Sequence, residues 1–441
     1  MPLSDGNPKA KPDSARGAWF GTGVRSFRGR IARSGTFLRF TSSAVTLSAV
    51  TMLCHIIVLR WLPPEAVGTW QSLLLIGTYA GIASAGATHG LNRELPFLFG
   101  TGDSRAVEDL AGTARSIALV GGGLCLTAIP VGWLVFEGAS ERWGAAAVLV
   151  GAAAELYRRY LGATYRAGQA FETLARLQAV QTVLTVVTLP LVLWQGYAGL
   201  AIQFVFLRST SAILGHAYRP LRRVGPFRMA SLKKLMTSGI PLFLFGYLSD
   251  VARSFPRLAL LSLGGVGWVG LFAPANAIIG AIGLIPGSVG TYVYPKMSFT
   301  YGKTGRASSI WPMARTTALG ALVVGIPVAL VMAVVAETLL PRFFPAYSAA
   351  VPAVQWTAIG GVFIGASVAV NALASLKAYK WMITFLVSRG ALLFALPWLG
   401  GKLTGDITGV AAGMTVAYAV DFVVVVFVVY QATKGTRDAE G

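Results

Sequence analysis

The chain has 441 residues, 55% hydrophobic and only 12% charged, a balance that a water-soluble domain could not carry without exposing large apolar patches. Lys and Arg number 37 against 17 Asp and Glu, a formal charge of +20, so the basic excess is either a nucleic-acid footprint or a membrane topology signal. The two cysteines, Cys54 and Cys125, stand in separate apolar runs without CxxC spacing, which gives no support to a disulfide framework or a cysteine zinc site.

A window of about 19 residues, the length that crosses a hydrocarbon core of roughly 30 Å, marks the candidate helices. Twelve appear, at 38–59, 66–88, 114–136, 143–165, 174–194, 198–218, 236–259, 268–293, 312–336, 347–371, 381–400 and 407–431. The first follows a polar, basic tail over 1–35 and ends without a small-residue cleavage site, so an uncleaved span is expected. Within that tail RSFRGRIAR, Arg25–Arg33, reads either as an amphipathic segment on anionic lipid or as a disordered tail that sets topology. The fourth span is interrupted by Glu155, Arg158 and Arg159. Between the sixth and seventh spans lies RPLRRVGPFRMASLKKL, from Arg219, the only long basic polar segment between helices.

That loop divides the helices six and six. The expected organisation is a lobe over 36–218, a basic linker over 219–235, a second lobe over 236–431 and a short tail over 432–441. An internal echo accompanies the division: LPPEAVGTW (Leu62 to Trp70) and LGGVGWVGLF (Leu263 to Phe272) each follow the first helix of their half and end in Val-Gly-x-aromatic. Lys and Arg on short loops set orientation. With the N-terminus in the cytoplasm, the tail and the Arg219–Lys234 loop share that side, and the other side keeps only Arg60, Arg142, Arg342 and Lys402. The basic excess is thus a topology signal and both termini are expected in the cytoplasm. A nucleic-acid partner would need a basic patch on a soluble domain, and none is visible. The fold class expected is an all-α polytopic membrane protein of about twelve transmembrane helices, in two six-helix lobes around a central cavity.

No P-loop, GxSxG, HExxH or dinucleotide fingerprint is present, and His55, His89 and His216 lie far apart, so no enzyme, metal site or cofactor is expected. What remains is charge inside spans, each costing about 2.5 to 3.5 kcal/mol at the bilayer centre. In the seventh span Asp250, Arg253 and Arg257 stand at i, i+3 and i+7, one face of a helix. Asp250 can pair with Arg253, which leaves Arg257 without an acid on its own stripe, beside Pro256, which removes a backbone donor. The alternative is a span ending near Ser254, with the arginines at the membrane surface. Arg208, Arg389, Asp421 and the Glu155, Arg158, Arg159 group are also embedded, with snorkelling as the alternative for Arg158, Arg159 and Arg389. Cations outnumber acids in this set, and a water-filled cavity lined by them would suit an anionic substrate such as a diphosphate.

The segment Trp61 to Asp103, with its Leu-Pro-x-Glu-x-x-Gly start, mid-helix Tyr and Gly-x-Asn ending, and the seventh span GIPLFLFGYLSDVARSFPR resemble bacterial polysaccharide flippases. These belong to the multidrug, oligosaccharidyl-lipid and polysaccharide exporter superfamily. The resemblance implies alternating-access movement of an undecaprenyl-diphosphate-linked oligosaccharide from the inner to the outer leaflet of the bacterial cytoplasmic membrane, for O-antigen, capsule or exopolysaccharide. Partners implied are that lipid-linked substrate, membrane lipids, a Na+ or H+ coupling ion and polysaccharide polymerase machinery. By position Arg253, Arg257, Arg208 and Arg389 are assigned to the substrate, with Asp250 orienting Arg253. Glu155 and Arg158 are assigned to the cavity, and Asn92 and Arg93 to its cytoplasmic mouth, against a purely structural turn there.

The alternative within the superfamily is a drug or metabolite:cation antiporter, which would carry carboxylates in its N-lobe cavity, where the spans offer essentially only Glu155. A major-facilitator transporter is opposed by FGTGDSRAVEDLAG after the second span, which lacks Gly-x-x-x-Asp-Arg-x-Gly-Arg. A membrane polymerase is opposed by the absence of a long outer-side loop.

Overall fold

A computed structural model describes residues 19–434, and every regular element among them is helical. The first half contains α1 (Trp19–Trp61), α2 (Pro64–Ala80), α3 (Ala87–Thr101), α4 (Ser104–Thr127), α5 (Ile129–Val135), α6 (Ala139–Ala167), α7 (Phe171–Val187) and α8 (Leu189–Ala217). The second contains α9 (Met229–Leu271), α10 (Ala273–Thr304), α11 (Trp311–Phe343), α12 (Val351–Ala366), α13 (Asn371–Ser375), α14 (Tyr379–Thr404) and α15 (Ile407–Lys434). Eight stretches among the described residues are long and apolar enough to cross a membrane. The other four expected spans fall on the interrupted pair α2–α3, the charge-bearing α6, the 17-residue α7, and α10, whose apolar portion is Ala273–Leu284. The protein is an all-α polytopic membrane protein.

Glycines place the corners. Inside α8 and α9 the regular helix is interrupted at Gly196 (φ 55°) and Gly265 (φ 65°), which turn the fifth span into the sixth and the seventh into the eighth. Positive φ costs a residue without Cβ nothing. The second span is not the continuous helix expected over 66–88. It ends at Ala80, passes through a 3-10 turn at Gly81–Ser84 and two left-handed residues, Ala85 and Gly86, and resumes as α3. A hydropathy average does not register such a break. The seventh span resolves the opposite way: α9 is helical past Ser254, Pro256 and Arg257, with its only non-helical torsions at Gly265. The helix itself thus does not end near Ser254, the alternative end of this span. At the N-terminus, residues 19–35 of the expected tail continue α1 as helix. Residues 1–18 of that tail and 435–441 of the C-terminal one lie outside the described residues.

Within the first half α1 packs on α7, and α6 on both α4 and α8; within the second, α12 packs on α11 and α15, and α14 on α15. Across the seam α9 lies along α2 and α3, and glycines let the backbones touch. At the end of the bundle that carries the 219–228 linker, a Cβ on Gly90 would overlap the Leu235 carbonyl and one on Gly239 the Gly86 carbonyl. At the opposite end the two glycines of the sequence echo meet: a Cβ on Gly68 would overlap the Val266 carbonyl, and one on Gly270 the Pro64 carbonyl. Pro64 stands to Gly68 as Val266 does to Gly270, so equivalent positions of the two halves contact one another reciprocally. Tyr347 seals this end by donating its hydroxyl to the Leu62 carbonyl at 2.9 Å. The linker is strapped to α4 by Arg228 on Asp109 at 2.8 Å and by the Gly225 N–H on the Glu108 carbonyl at 2.8 Å.

Candidate functional site: an arginine-lined chamber at the seam

Between these two contacts α2, α3, α6, α8 and α9 enclose a chamber of about 510 Å³. Helical spacing aims its charges. Glu155 and Arg159 are i, i+4 on α6, and Asp250, Arg253 and Arg257 are i, i+3 and i+7 on α9, so each set lies on one face. With Arg208 from α8, the lining holds four arginines against two carboxylates. Room comes from small residues in the lining, Gly77 of α2, Gly151 of α6 and Gly246 of α9 among them.

Glu155 is the hub of the first-half wall. Arg158 donates Nε and Nη2 to its two oxygens, each at 2.6 Å, Arg159 Nε donates at 3.1 Å, and Arg208 Nη1 reaches across from α8 at 2.8 Å. The Arg208 guanidinium also sits 5.3 Å from the Phe204 ring centroid. On the facing wall Asp250 and Arg253 form the ion pair their spacing predicts, and both side chains are about half exposed. Arg257 differs. Its Nη1 donates to the Gln71 carbonyl at 3.1 Å, and its buried Nε has no hydrogen-bond partner, so one donor of a cation is left unsatisfied. The wall carrying it is braced against α2 by Tyr79 Oη on Ser254 Oγ at 2.9 Å and by the Tyr247 hydroxyl donating to the Tyr79 carbonyl at 3.1 Å.

Two further chambers adjoin. One of about 560 Å³ lies among α1, α2 and α10 and is lined by His55, Gln71 and Asn276. Another of about 450 Å³ lies inside the first half among α1, α6, α7 and α8, and is lined by Arg158, Gln178, Gln181 and Ser211. Leu74 lines all three, Arg257 the central and α1–α10 chambers, and Arg208 the central and first-half chambers.

Arg253, Arg257, Arg208, Asp250 and Glu155 are thus brought together, and Arg158 borders the neighbouring chamber. Arg158 and Arg159 both pair with Glu155. Arg389, expected at the substrate, is elsewhere. It is buried in the second half with its Nε 4.0 Å from Asp421 Oδ2 and its guanidinium 5.4 Å from the Phe385 ring centroid, because α14 turns this face to α15. Asn92 and Arg93 do not line the chamber either: Asn92 Oδ1 accepts from Arg166 Nη2 at 2.9 Å, and exposed Arg93 approaches Glu94 at 3.9 Å. Sequence reasoning missed His89. The break before α3 carries it into the chamber, where its buried Nδ1 has no hydrogen-bond partner and its ring packs against Phe243 at 5.7 Å. The Ser-Ala-Gly stretch of the break was the available signal.

Solved structures share the fold of this polytopic helical bundle. No protein-family model matches the chain, and no curated protein matches it by sequence. In three dimensions it is similar to an inward-facing multidrug resistance MATE family transporter of the MOP superfamily (TM-score 0.74, 14% identity, 90% of this chain and 100% of that one). It is also similar to the lipid II flippase MurJ in an inward closed conformation (TM-score 0.71, 11% identity, 89% of each chain). An outward-facing MATE family transporter overlaps less, with a TM-score of 0.61 at 15% identity over 92% of this chain and 97% of that one. The chain has the fold that these three proteins share.

Proposed function

We propose that this protein is a transporter that flips an undecaprenyl-diphosphate-linked oligosaccharide from the inner to the outer leaflet of the bacterial cytoplasmic membrane, for O-antigen, capsule or exopolysaccharide assembly. The observation that carries the reading is the seam chamber, with four arginines against two carboxylates and a donor of Arg257 unfilled. Guanidinium forks match the paired oxygens of phosphate groups, and a half-enclosed chamber strengthens their field relative to water. The α1–α10 chamber, which shares Arg257, gives a route by which a diphosphate can sit at the arginines while its prenyl tail stays in lipid. Likeness to a lipid II flippase supports a lipid-linked cargo.

In this reading the lobes over 36–218 and 236–431 rock about the 219–235 linker, with both termini cytoplasmic. The closed contacts at Gly68, Gly270 and Tyr347 form the outer seal. Coupling to Na+ or H+ is part of the proposal without an assigned residue, as is delivery to polymerase machinery. Cation antiport is the weaker reading, because Glu155 is held by three arginines and Asp250 by Arg253, which leaves no free carboxylate in the chamber for a cationic drug. The test is Arg257→Ala in cells. Export of the glycan should be lost while the protein still inserts, with lipid-linked intermediate accumulating on the inner leaflet. Normal export in that variant would overturn the reading.

A further inference from the structure

Glu155 gathers more positive charge than it can balance. Its two oxygens accept four hydrogen bonds from three guanidiniums supplied by two helices. Among the described residues, Arg158, Arg159 and Arg208 form no ion pair with any other acid. A carboxylate placed only to neutralise one arginine would not need this fan. What the three guanidiniums surround is a compact anion with two oxygens, each oxygen approached from two directions, and that is the coordination a phosphate oxygen pair would receive. The cluster is also accessible: the three arginine side chains are 41 to 46% exposed, against 17% for Glu155. Its members face both ways, Arg159 into the central chamber, Arg158 into the first-half chamber and Arg208 into both.

We propose that Glu155 is an internal stand-in for the anionic group of the cargo: it keeps the arginines assembled while the chamber is empty and gives them up to an incoming diphosphate. Identification of that anion as a diphosphate rests on the flippase reading; the stand-in role rests on the geometry alone. Three mutually repelling guanidiniums in a half-enclosed chamber would otherwise splay apart, and reassembling them would weaken binding. With Glu155 in place the receptor is preformed, at the cost of a competitor that the ligand must displace. A carboxylate present only to brace α6 against α8 makes the opposite prediction, because removing it would loosen the cluster and gain nothing for a ligand.

The full chain in lipid nanodiscs, titrated with inorganic pyrophosphate, separates the two. Glu155→Gln removes the competing charge and keeps one of the two acceptor oxygens, its amide N–H2 being a donor that a guanidinium cannot use, so pyrophosphate should bind at least about tenfold more tightly than to the native protein, the scale expected for a desolvated charge contact. Unchanged or weaker binding overturns the proposal. Should Glu155→Gln not yield folded protein, Glu155→Asp withdraws the carboxylate by one methylene from Arg208 and carries the same sign of prediction in smaller measure. The double variant Glu155→Gln with Arg208→Gln should lose the gain; a gain that persists overturns the proposal, because the anion would then be bound elsewhere. Repeating the titration with a short prenyl diphosphate distinguishes sources. A larger gain for the prenyl ligand supports the stand-in role with a lipid cargo. An equal gain for both keeps the stand-in role and counts against the flippase reading.

Discussion

Two groups of embedded charge are accommodated in opposite ways. In the seam chamber three arginines share one glutamate, and each arginine keeps two fifths or more of its side chain exposed. In the second half Arg389 and Asp421 stand one to one, 10% and 1% exposed, and neither Asp421 oxygen nor Arg389 Nε has a hydrogen bond. Where water reaches, the fold can carry a surplus of one sign and leave it available to a ligand. Where water does not reach, an unbalanced charge is too costly, and a neutral pair is what the dry interior tolerates. The first arrangement has the character of a binding site and the second that of internal structure, although both are arginines inside apolar spans.

Changes at the two places should separate accordingly. The largest effect is expected from Asp421→Ala, which strands Arg389 in the second-half core and should cost about 3–5 kcal/mol of stability, read as thermal unfolding in detergent. Replacing both, Arg389→Met with Asp421→Leu, should recover most of that; if the double variant is no better than the single one, the pair is not what balances the site. An intermediate effect follows from the seam. Gly68→Ala places a methyl group against the Val266 carbonyl, so α2 and α9 must part, at about 1–3 kcal/mol. Gln71, which holds Arg257, is one turn further along α2, so this variant should weaken pyrophosphate binding as well as stability. A loss of stability with unchanged binding would show that the chamber does not depend on the closed seam. The smallest effect belongs to Asp250 and Arg253, half exposed to the chamber. Exchanging them, Asp250→Arg with Arg253→Asp, should change stability by less than about 1 kcal/mol and restore part of the export that either single reversal removes. No rescue would mean that the two act separately.

The charge stripe of the candidate site is legible in the sequence. The stripe Asp250, Arg253, Arg257 needs only a 3.6-residue period and a helix that continues past Pro256, and α9 supplies both. Arg389 shows the limit: a lone arginine in an apolar run signals burial, but whether it faces a chamber or a partner helix depends on how α14 is rotated against α15. His89 shows another. Its place in the chamber follows from two left-handed residues at Ala85 and Gly86, a local turn invisible to a 19-residue average. The echo around Gly68 and Gly270 was legible as a repeat, whereas its meaning as a contact between the repeats was not.

Hydropathy is a one-dimensional property, and it is sufficient for a helical polytopic membrane protein, because lipid imposes helix on any long apolar run. Partnership is a three-dimensional property. Glu155 and Arg208 are 53 residues apart and meet at 2.8 Å, while Arg257 and Arg389 look alike in sequence and end at a chamber wall and in a buried core. Those outcomes are decided by the rotation and crossing of helices, α6 against α8, α9 against α2 and α14 against α15, which no reading along the chain contains.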